Sequence, residues 1–256
     1  MIIASKGTYS VPIYWELLDN KGGNSNGQQR IDLLSKCITL LGSDKIGLIL
    51  GDREFIGNKW LNYLKINKIP FCVRVPKSHL IETEYGEILD ADNIRQNQKN
   101  TESKDYFNNC LVDGVWGNVM IGTDAKGTLL YLFGTVKATL LEQLYKRRWT
   151  IETTFQAFKS RGFNLEMTHI SIVERLKKLI GPVAMAFTIS LGQYQHDSHK
   201  KISTKIHGRK AKSFFRYGLE FIRDGFKIGY KYQKEWIEIF ASFIKYIFAN
   251  DSLSSN

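Results

Sequence analysis

The sequence feature that most limits what this chain can fold into is a polar helix face in the run LEQLYKRRWTIETTFQAFKSRGFNLEMTH. Four residues carry it with the spacing Y-x₂-R-x₃-E-x₆-K: Tyr145, Arg148, Glu152 and Lys159. At about 100° per residue of an α-helix, their side chains fall within an arc of roughly 60°. One carboxylate would then lie among two cations and a phenol, which suits a metal ion beside a phosphate.

An apolar stripe runs beside this polar face and would bury the helix. Its members, at i, i+7, i+11 and i+14, are Leu144, Ile151, Phe155 and Phe158. This spacing has the helical period. The alternative interpretation treats Arg148 and Glu152 as an ordinary i,i+4 surface pair with two unrelated neighbours, since helical charge runs are usually solvated.

A second acidic candidate follows a short apolar run in the segment GLILGDREF. Residues 48–50 are typical of a strand buried on both faces, and Asp52 comes directly after Gly51 at the C-terminal end of that strand. Ligand sites in α/β sheets favour this end. The alternative is that Asp52 is only a helix cap or a turn residue.

The tyrosine, arginine, glutamate and lysine at this spacing resemble the Y-R-E-K signature of DDE insertion-sequence transposases of the IS-four family. The D-R-E-F sequence from Asp52 to Phe55 is similar to the second acidic motif of that family. The similarity extends from VPIYWELLDNKGGNSN, at residues 11–26, to HGRKAKSFFRYGLEF, at residues 207–221. It therefore covers nearly the whole chain.

The resemblance implies an α/β fold with an RNase H-like mixed sheet and flanking helices. In such an enzyme two Asp and one Glu hold two divalent cations, normally Mg²⁺, so Asp52 and Glu152 would be catalytic metal ligands. One ion would orient the attacking hydroxyl while the other stabilises the leaving 3′ oxygen. Tyr145, Arg148 and Lys159 would contact DNA phosphates near the cut site.

The first catalytic aspartate of the family belongs on the first core strand and has no counterpart in this sequence. Residues 1–10 contain neither Asp nor Glu, and the V-P-I-Y-W segment that should follow that strand begins at Val11. Asp19 and Asp32 come too late, in a predicted turn and on the next predicted helix. We therefore expect a truncated chain: a decayed gene copy, a start placed too far downstream, or a fragment completed by a separately made upstream piece.

The rhythm of predicted elements divides the chain into four segments. Residues 1–76 would form the incomplete N-terminal part of the RNase H-like core, and residues 77–136 a β-rich antiparallel insertion. Residues 137–195 would hold the rest of the core with the signature helix. Residues 196–256 would be a basic helical C-terminal segment.

Within these segments the pattern predicts individual strands and helices. Strands are expected near residues 9–18, up to Asp52, and over 71–75. Helices are expected over 28–41, 58–67 and, as a buried helix after an approach segment at 170–178, over 179–191.

The β-rich insertion contains one tryptophan that could contact DNA. By the resemblance, this region touches transposon-end DNA and helps to hold an unpaired base. Trp116 could supply the aromatic surface on which such a base stacks. The alternative is a tryptophan packed within a hairpin.

The distribution of charge agrees with a nucleic-acid partner. The chain has a formal charge of +11 and a sequence pI of about 9.4. Residues 198–234 hold eleven Lys or Arg against two acidic residues, with aromatic residues interleaved. This segment is expected to contact DNA phosphates; its alternative is a solvated basic tail. The partners implied are double-stranded DNA, namely terminal inverted repeats and target, and a second copy of the chain in a synaptic homodimer.

Other features exclude competing classes of protein. Three cysteines, Cys37, Cys72 and Cys110, form no C-x-x-C pair and favour reduced, structural thiols. His196 and His199 stand three apart in a predicted polar loop without further ligands nearby, which disfavours a metal site. Neither a signal peptide nor a membrane span is predicted, so a bacterial cytoplasmic, nucleoid-associated protein is expected.

Two functions are therefore predicted from different classes. The first is a transposase that cleaves and transfers DNA strands with Mg²⁺, inactive as this truncated chain. The second is a catalytically dead DNA-binding remnant that recognises transposon ends or interferes with a full-length copy. A basic RNase H-like nuclease is a third interpretation.

Overall fold

The computed structural model describes residues 1–6, 9–17, 25–97, 103–124, 127–196, 202–206, 208 and 210–228. These residues form two compact units. The first consists of Met1–Ile2 and Ile13–Thr150, and the second takes in the described residues of Ile3–Pro12 and Ile151–Asn256. This division into two units does not test the predicted division into four segments, which stays a prediction.

The described strands, in chain order, are β1 (Ile2–Lys6), β2 (Tyr9–Tyr14), β3 (Ile49–Gly51), β4 (Phe71–Arg74), β5 (Ile81–Thr83), β6 (Ile88–Leu89), β7 (Asp105–Val112), β8 (Val115–Thr123) and β9 (Leu129–Gly134). Strands β1 and β2 form a two-stranded sheet. The other seven form one mixed sheet in the order β3-β4-β9-β8-β7-β5-β6. Among the strand pairs described in this seven-stranded sheet, β3 and β4 are parallel and the others are antiparallel.

The described α-helices are α1 (Gly27–Leu41), α2 (Asn58–Ile66), α3 (Ala91–Gln96), α4 (Leu141–Tyr145), α5 (Trp149–Gln156), α6 (Val173–His196) and α7 (Phe214–Ile228). Helix α1 begins at a capping box: the Asn26 side chain accepts from the Gln29 amide, and the Gln29 side chain accepts from the Asn26 amide. The predicted helices at 28–41 and 58–67 and the strand at 71–75 are confirmed.

The strands of the expected insertion extend the same sheet as the predicted core strands. Strand β9 pairs with β4 on one side and with β8 on the other, so residues 129–134 join the two regions. The result is a seven-stranded mixed sheet with flanking helices, compatible with an RNase H-like domain. Among the strands that the structure describes, β3 lies at one edge of this sheet.

The core of the first unit lies on this sheet and under α1 and α2. Phe71, Val73 and Phe133 are fully buried on adjacent strands, and the rings of Phe71 and Phe133 are 5.6 Å apart. Trp60, Leu61 and other residues of α2 pack into the same cluster.

The second unit contains most of β1 and β2 together with α6 and α7. Its aromatic cluster joins the rings of Phe158, Phe163, Phe187 and Phe215. Helix α7 lies very close to α6 at Gly218, where a Cβ would come within 1.8 Å of the Ser190 carbonyl oxygen. Only glycine permits this approach.

Three predictions about elements are wrong in detail. Strand β2 ends at Tyr14 because the chain leaves the two-stranded sheet there. Helix α6 spans Val173–His196 with Pro182 inside it, so most of the expected approach segment at 170–178 is helical and His196 ends a helix instead of lying in a loop. Phe155 is 37% exposed, because the buried face of this helical run passes through Thr154, Ala157 and Phe158.

The cysteines have the structural character that their spacing predicts. All three are buried and none forms a disulfide. Burial raises the pKa of Cys72 to about 12 and that of Cys110 to about 11, which leaves these thiols protonated and unreactive near neutral pH. Across the part of the chain that the structure describes, none of the helices has the length and hydrophobicity of a membrane-spanning segment.

Candidate functional site

Asp52 stands at the C-terminal end of β3, where the chain turns into a short 3₁₀ helix, Arg53–Phe55. Its Oδ1 accepts a hydrogen bond of 2.8 Å from the Arg53 amide, so the cap interpretation describes one of its contacts. Gly51 allows the turn because a Cβ there would lie 2.5 Å from the Phe55 Cβ. The Asp52 side chain is 45% exposed, which leaves it accessible for a second role.

Two signature residues meet at Asp52 within the first unit. The Tyr145 hydroxyl donates to Asp52 Oδ1 at 3.3 Å, and Arg148 Nη1 lies 3.6 Å from Asp52 Oδ2. The guanidinium of Arg148 lies over the Tyr145 ring at 5.4 Å from its centroid. Tyr145 and Arg148 follow Asp52 by 93 and 96 positions in the sequence. The fold brings the three residues into one polar cluster, which we call the Asp52 cluster (Asp52, Tyr145, Arg148).

The Tyr145 hydroxyl of this cluster is a protonated donor. Burial raises its pKa to about 12, and the neighbouring Asp52 carboxylate raises it too. The positive charges of Arg148 and Arg74 act in the opposite direction. Since burial is the largest cause, the hydroxyl stays neutral at physiological pH and can give one hydrogen bond to an anionic oxygen.

Arg74 is a residue near this cluster that the sequence interpretation missed. It ends β4, one position past Val73, which pairs with Gly51 of the parallel β3. Its Nη2 donates to the Leu129 carbonyl oxygen at 2.7 Å. The signal that could have found it is the parallel pairing itself, because the C-terminal ends of β3 and β4 meet at one sheet edge.

The helical run that carries the signature is not uniform. Residues Lys146–Arg148 form a 3₁₀ turn and Ala157–Arg161 a π-helical stretch, on either side of α5. The constant turn of about 100° per residue, on which the one-face prediction rests, therefore does not hold along the run. Glu152 is half-buried on α5, and Lys159 is exposed in the π-helical stretch.

Trp116 contradicts the interpretation of a packed hairpin tryptophan. It lies on β8, where it pairs with Leu111 of the neighbouring strand β7, and it is 49% exposed. About half of this side chain's surface is therefore accessible to solvent. The stacking role stays a prediction.

The basic C-terminal segment is described only in part. Lys212 and the Arg216 Nε both donate to Glu220, the latter at 2.7 Å, and Lys210 lies over the Phe214 ring at 4.0 Å. His199, most of the remaining basic residues of 198–234 and Asp19 lie outside the described residues or their described side chains. The expected DNA contact of this segment stays a prediction.

The chemistry of Asp52 fits a divalent metal in type. Its oxygens are the hard ligands that Mg²⁺ prefers, and they lie at the end of a strand. Among the described residues, no group of three or more His, Cys, Asp or Glu is placed to hold a metal ion. Asp52 and Glu152 thus remain two predicted ligands, on β3's C-terminal end and on α5.

A family model described as a transposase DDE domain matches residues 18–189, about two thirds of the chain. The match spans Asp52 and the whole signature run. No curated protein matches the chain.

Proposed function

This chain belongs to the transposase DDE-domain family, and from that membership we propose that it serves DNA transposition by metal-dependent cleavage and transfer of DNA strands. We assign it further to the IS-four family on its Y-R-E-K spacing. The substrate would be double-stranded DNA, first the terminal inverted repeats of an insertion sequence and then a target. Two ends must be held together during transfer, so a homodimer is proposed as the working form.

The observation that carries the proposal is the Asp52 cluster. An acidic residue at a strand end is common, but this one is met by a buried tyrosine and an arginine from far along the chain. A carboxylate beside a guanidinium and a neutral hydroxyl suits a site that a phosphodiester approaches, because both neighbours can donate hydrogen bonds to phosphate oxygens.

In this proposal, Asp52 and Glu152 are the carboxylates that would hold the divalent cation. When bound, Mg²⁺ would supply Lewis-acid stabilisation of the charge that develops on the reacting oxygens. The residues of this chain then have separate tasks. They orient the carboxylates, bind the phosphate and keep the Tyr145 proton in place.

Arg148 and Tyr145 divide the work of phosphate binding between them. Arg148 is 19% exposed and rests on the Tyr145 ring, so its guanidinium is held in one place before DNA arrives. A planar guanidinium can give two parallel hydrogen bonds to a phosphate. Tyr145, kept neutral by burial, can add one hydrogen bond without adding negative charge.

Lys159 would contribute a point charge to the strand end. Its exposure in the π-helical stretch makes it accessible and leaves it with little part in packing. A Lys159→Ala variant should therefore weaken DNA binding and cleavage while leaving the midpoint of thermal unfolding nearly unchanged. An unchanged cleavage rate in an active preparation would remove Lys159 from the site.

A second candidate is a DNA-binding remnant without cleavage activity. It is favoured by the Asp52 cluster as it stands, since Arg148 and Tyr145 already satisfy the carboxylate that a metal would use. Such a protein could bind transposon ends or form mixed complexes with a full-length copy. A basic nuclease would differ by cutting without transferring strands.

One experiment separates these candidates. The full chain would be incubated with duplex DNA and Mg²⁺ or Mn²⁺, beside Asp52→Asn and Glu152→Gln variants, and both DNA binding and strand cleavage would be measured. Metal-dependent cleavage that both variants lose by at least about a thousandfold supports the transposase. Binding without cleavage, in all three proteins, supports the remnant. A chain that binds no DNA contradicts both.

A further inference from the structure

The turn that follows Asp52 is short and is held in place by other parts of the first unit. Residues Arg53–Phe55 form one turn of 3₁₀ helix, closed by a hydrogen bond of 2.8 Å from the Phe55 amide to the Asp52 carbonyl oxygen. The Asp52 side chain accepts from the Arg53 amide of the same turn. A single 3₁₀ turn gains little stability from its own hydrogen bonds. The direction of the Asp52 carboxylate therefore depends on the contacts that hold this turn.

Arg30 of α1 supplies several of these contacts. Its Nη1 donates to the Glu54 carbonyl oxygen, and its Nη2 lies 3.7 Å from Glu54 Oε2. Its guanidinium also lies over the Phe55 ring, 4.7 Å from the centroid. The Arg30 side chain is only 10% exposed. Because a main-chain carbonyl and a ring are held, these contacts fix the backbone of the turn as well as its side chains.

The other side of the same guanidinium is fixed to the segment before α1. Arg30 Nε donates to Ser25 Oγ at 2.9 Å, and Nη2 donates to the Ser25 carbonyl oxygen. A guanidinium presents its N–H donors in a rigid planar fork, so fixing one side orients the other. Arg30 thereby joins the start of α1 to Glu54, which lies 24 positions further along the chain.

The Phe55 side chain extends this constraint to the end of β3. Its ring makes an edge contact with Trp60, with the centroids 6.1 Å apart, in addition to the contact with Arg30. Its Cβ lies so near Gly51 that a Cβ added there would come within 2.5 Å of it. In a close-packed interior, a shift of Phe55 would therefore move the strand end that carries Asp52.

We propose that Arg30 is a positioning residue for Asp52: its fork holds the turn Arg53–Phe55 and so keeps the Asp52 carboxylate in one orientation. The inference rests on the proposed function, in which Asp52 binds the divalent cation. Loss of a partner that orients a metal ligand typically lowers metal affinity roughly ten- to hundredfold. Glu54 offsets the charge of Arg30, so the geometry of the fork carries this role.

The first test observes the Asp52 side chain without a metal. In the isotope-labelled full chain, three-bond couplings to the Asp52 β-protons report whether χ1 stays in one staggered rotamer. The unmodified chain should show one rotamer. Arg30→Lys keeps the charge but loses the fork, so it should give averaged couplings and a shifted Arg53 amide peak. Ser25→Ala, a milder variant that removes only the acceptor of Nε, should change the couplings less.

Two results of this test would overturn the inference. One is averaged Asp52 couplings in the unmodified chain. The other is couplings that neither Arg30→Lys nor Ser25→Ala alters.

Two further variants separate orientation from charge and from general stability. Glu54→Gln removes the ion pair but leaves the main-chain carbonyl of residue 54, so the Asp52 couplings should not change. Lys36→Ala removes another cation of α1, whose partner is Glu16 and whose side chain is 52% exposed, and it should not change them either. Urea unfolding measures the stability of each variant separately. An effect of Glu54→Gln as large as that of Arg30→Lys would mean that charge acts, and would contradict the proposed role.

The second test connects the orientation of Asp52 to metal binding. Mn²⁺ affinity is measured from the electron paramagnetic resonance signal of free Mn²⁺, and duplex affinity from fluorescence anisotropy without metal. Arg30→Lys should weaken Mn²⁺ binding about tenfold, because the ligand is no longer held. It should leave duplex affinity nearly unchanged, since Arg148 binds the phosphate. In an Asp52→Asn background the effect on Mn²⁺ should vanish, and an equal loss there would contradict a role through Asp52.

These tests fail separately from the proposed function. A chain that binds neither Mn²⁺ nor duplex contradicts transposition, while the couplings still decide whether Arg30 orients Asp52. A chain that binds both, with couplings and Mn²⁺ affinity unchanged in Arg30→Lys, contradicts only the role of Arg30.

Discussion

Two clusters in this protein place one carboxylate between two donors, and they differ in what surrounds them. In the first unit Asp52 meets Arg148 and the Tyr145 hydroxyl, and Tyr145 is buried. In the second unit Glu220 meets Lys212 and Arg216, whose side chains are 52% and 43% exposed. The Asp52 cluster joins distant parts of the chain, whereas the Glu220 cluster is formed by residues within nine positions.

The difference shows that a count of charges does not locate a site. The sequence places its largest positive excess in residues 198–234, yet two of the cations described there are already paired with Glu220. Exposed pairs of this kind contribute little free energy and are screened by salt. The Asp52 cluster has fewer charges, but its Arg148 side chain is only 19% exposed and rests on the buried Tyr145 ring, so this cation is held in place, as the binding of a phosphate requires.

The largest expected effect is a difference in duplex affinity between substitutions of Arg148 and Arg216. Arg148→Ala should lower duplex affinity about tenfold, because a positioned guanidinium that can bind phosphate is lost. Arg216→Ala should lower it less than about twofold, since that cation is paired with Glu220. Fluorescence anisotropy at fixed salt measures both. Equal losses of duplex affinity would contradict this comparison. They would indicate that the basic segment, residues 198–234, contacts DNA.

The next effect tests the burial of Tyr145. Its folded pKa of about 12 lies above the ordinary value of 10.0. The unfolded chain therefore loses this proton first as pH rises, so the free energy of unfolding should fall between pH 10 and 12, by at most about 3 kcal/mol. Urea unfolding of Tyr145→Phe beside the unmodified chain isolates this part of the alkaline slope. Parallel curves would mean that the hydroxyl is hydrated in solution.

The smallest effect belongs to Glu220. Hydrogen bonds from Lys212 and Arg216 lower its pKa below the ordinary value of 4.5. Its contribution to stability is present above about pH 4.5 and is lost as pH falls through the lowered pKa. Glu220→Gln should therefore cost less than about 1 kcal/mol at neutral pH and nothing in strong acid. A neutral-pH loss several times larger would make the Glu220 cluster structural.

The sequence predicted the regular elements of the first unit well. The run at residues 48–50, the glycine before Asp52 and the amphipathic pattern after Gln28 each contain local information, since strand burial and helix period are properties of neighbouring residues. Sheet order was less predictable. Strand β9 lies between β4 and β8, and nothing in residues 129–134 alone states which strands they join.

The sequence named the candidate residues, but it did not give their geometry. The structure brings Tyr145 and Arg148 to Asp52, and the roles predicted for these residues and for Glu152 stay predictions. The 3₁₀ turn and the π-helical stretch changed the helix on which the spacing of the signature was measured.

By itself, then, the sequence determined the spacing of Tyr145, Arg148 and Glu152, the strand that ends just before Asp52 and the helices α1 and α2, because these depend on side chains a few positions apart. Only the tertiary structure decided which charges are available. It joined Tyr145 and Arg148 to Asp52 and paired Lys212 and Arg216 with Glu220. The physical reason is that burial and pairing, which set the strength of a charge or a donor, depend on neighbours distant in sequence.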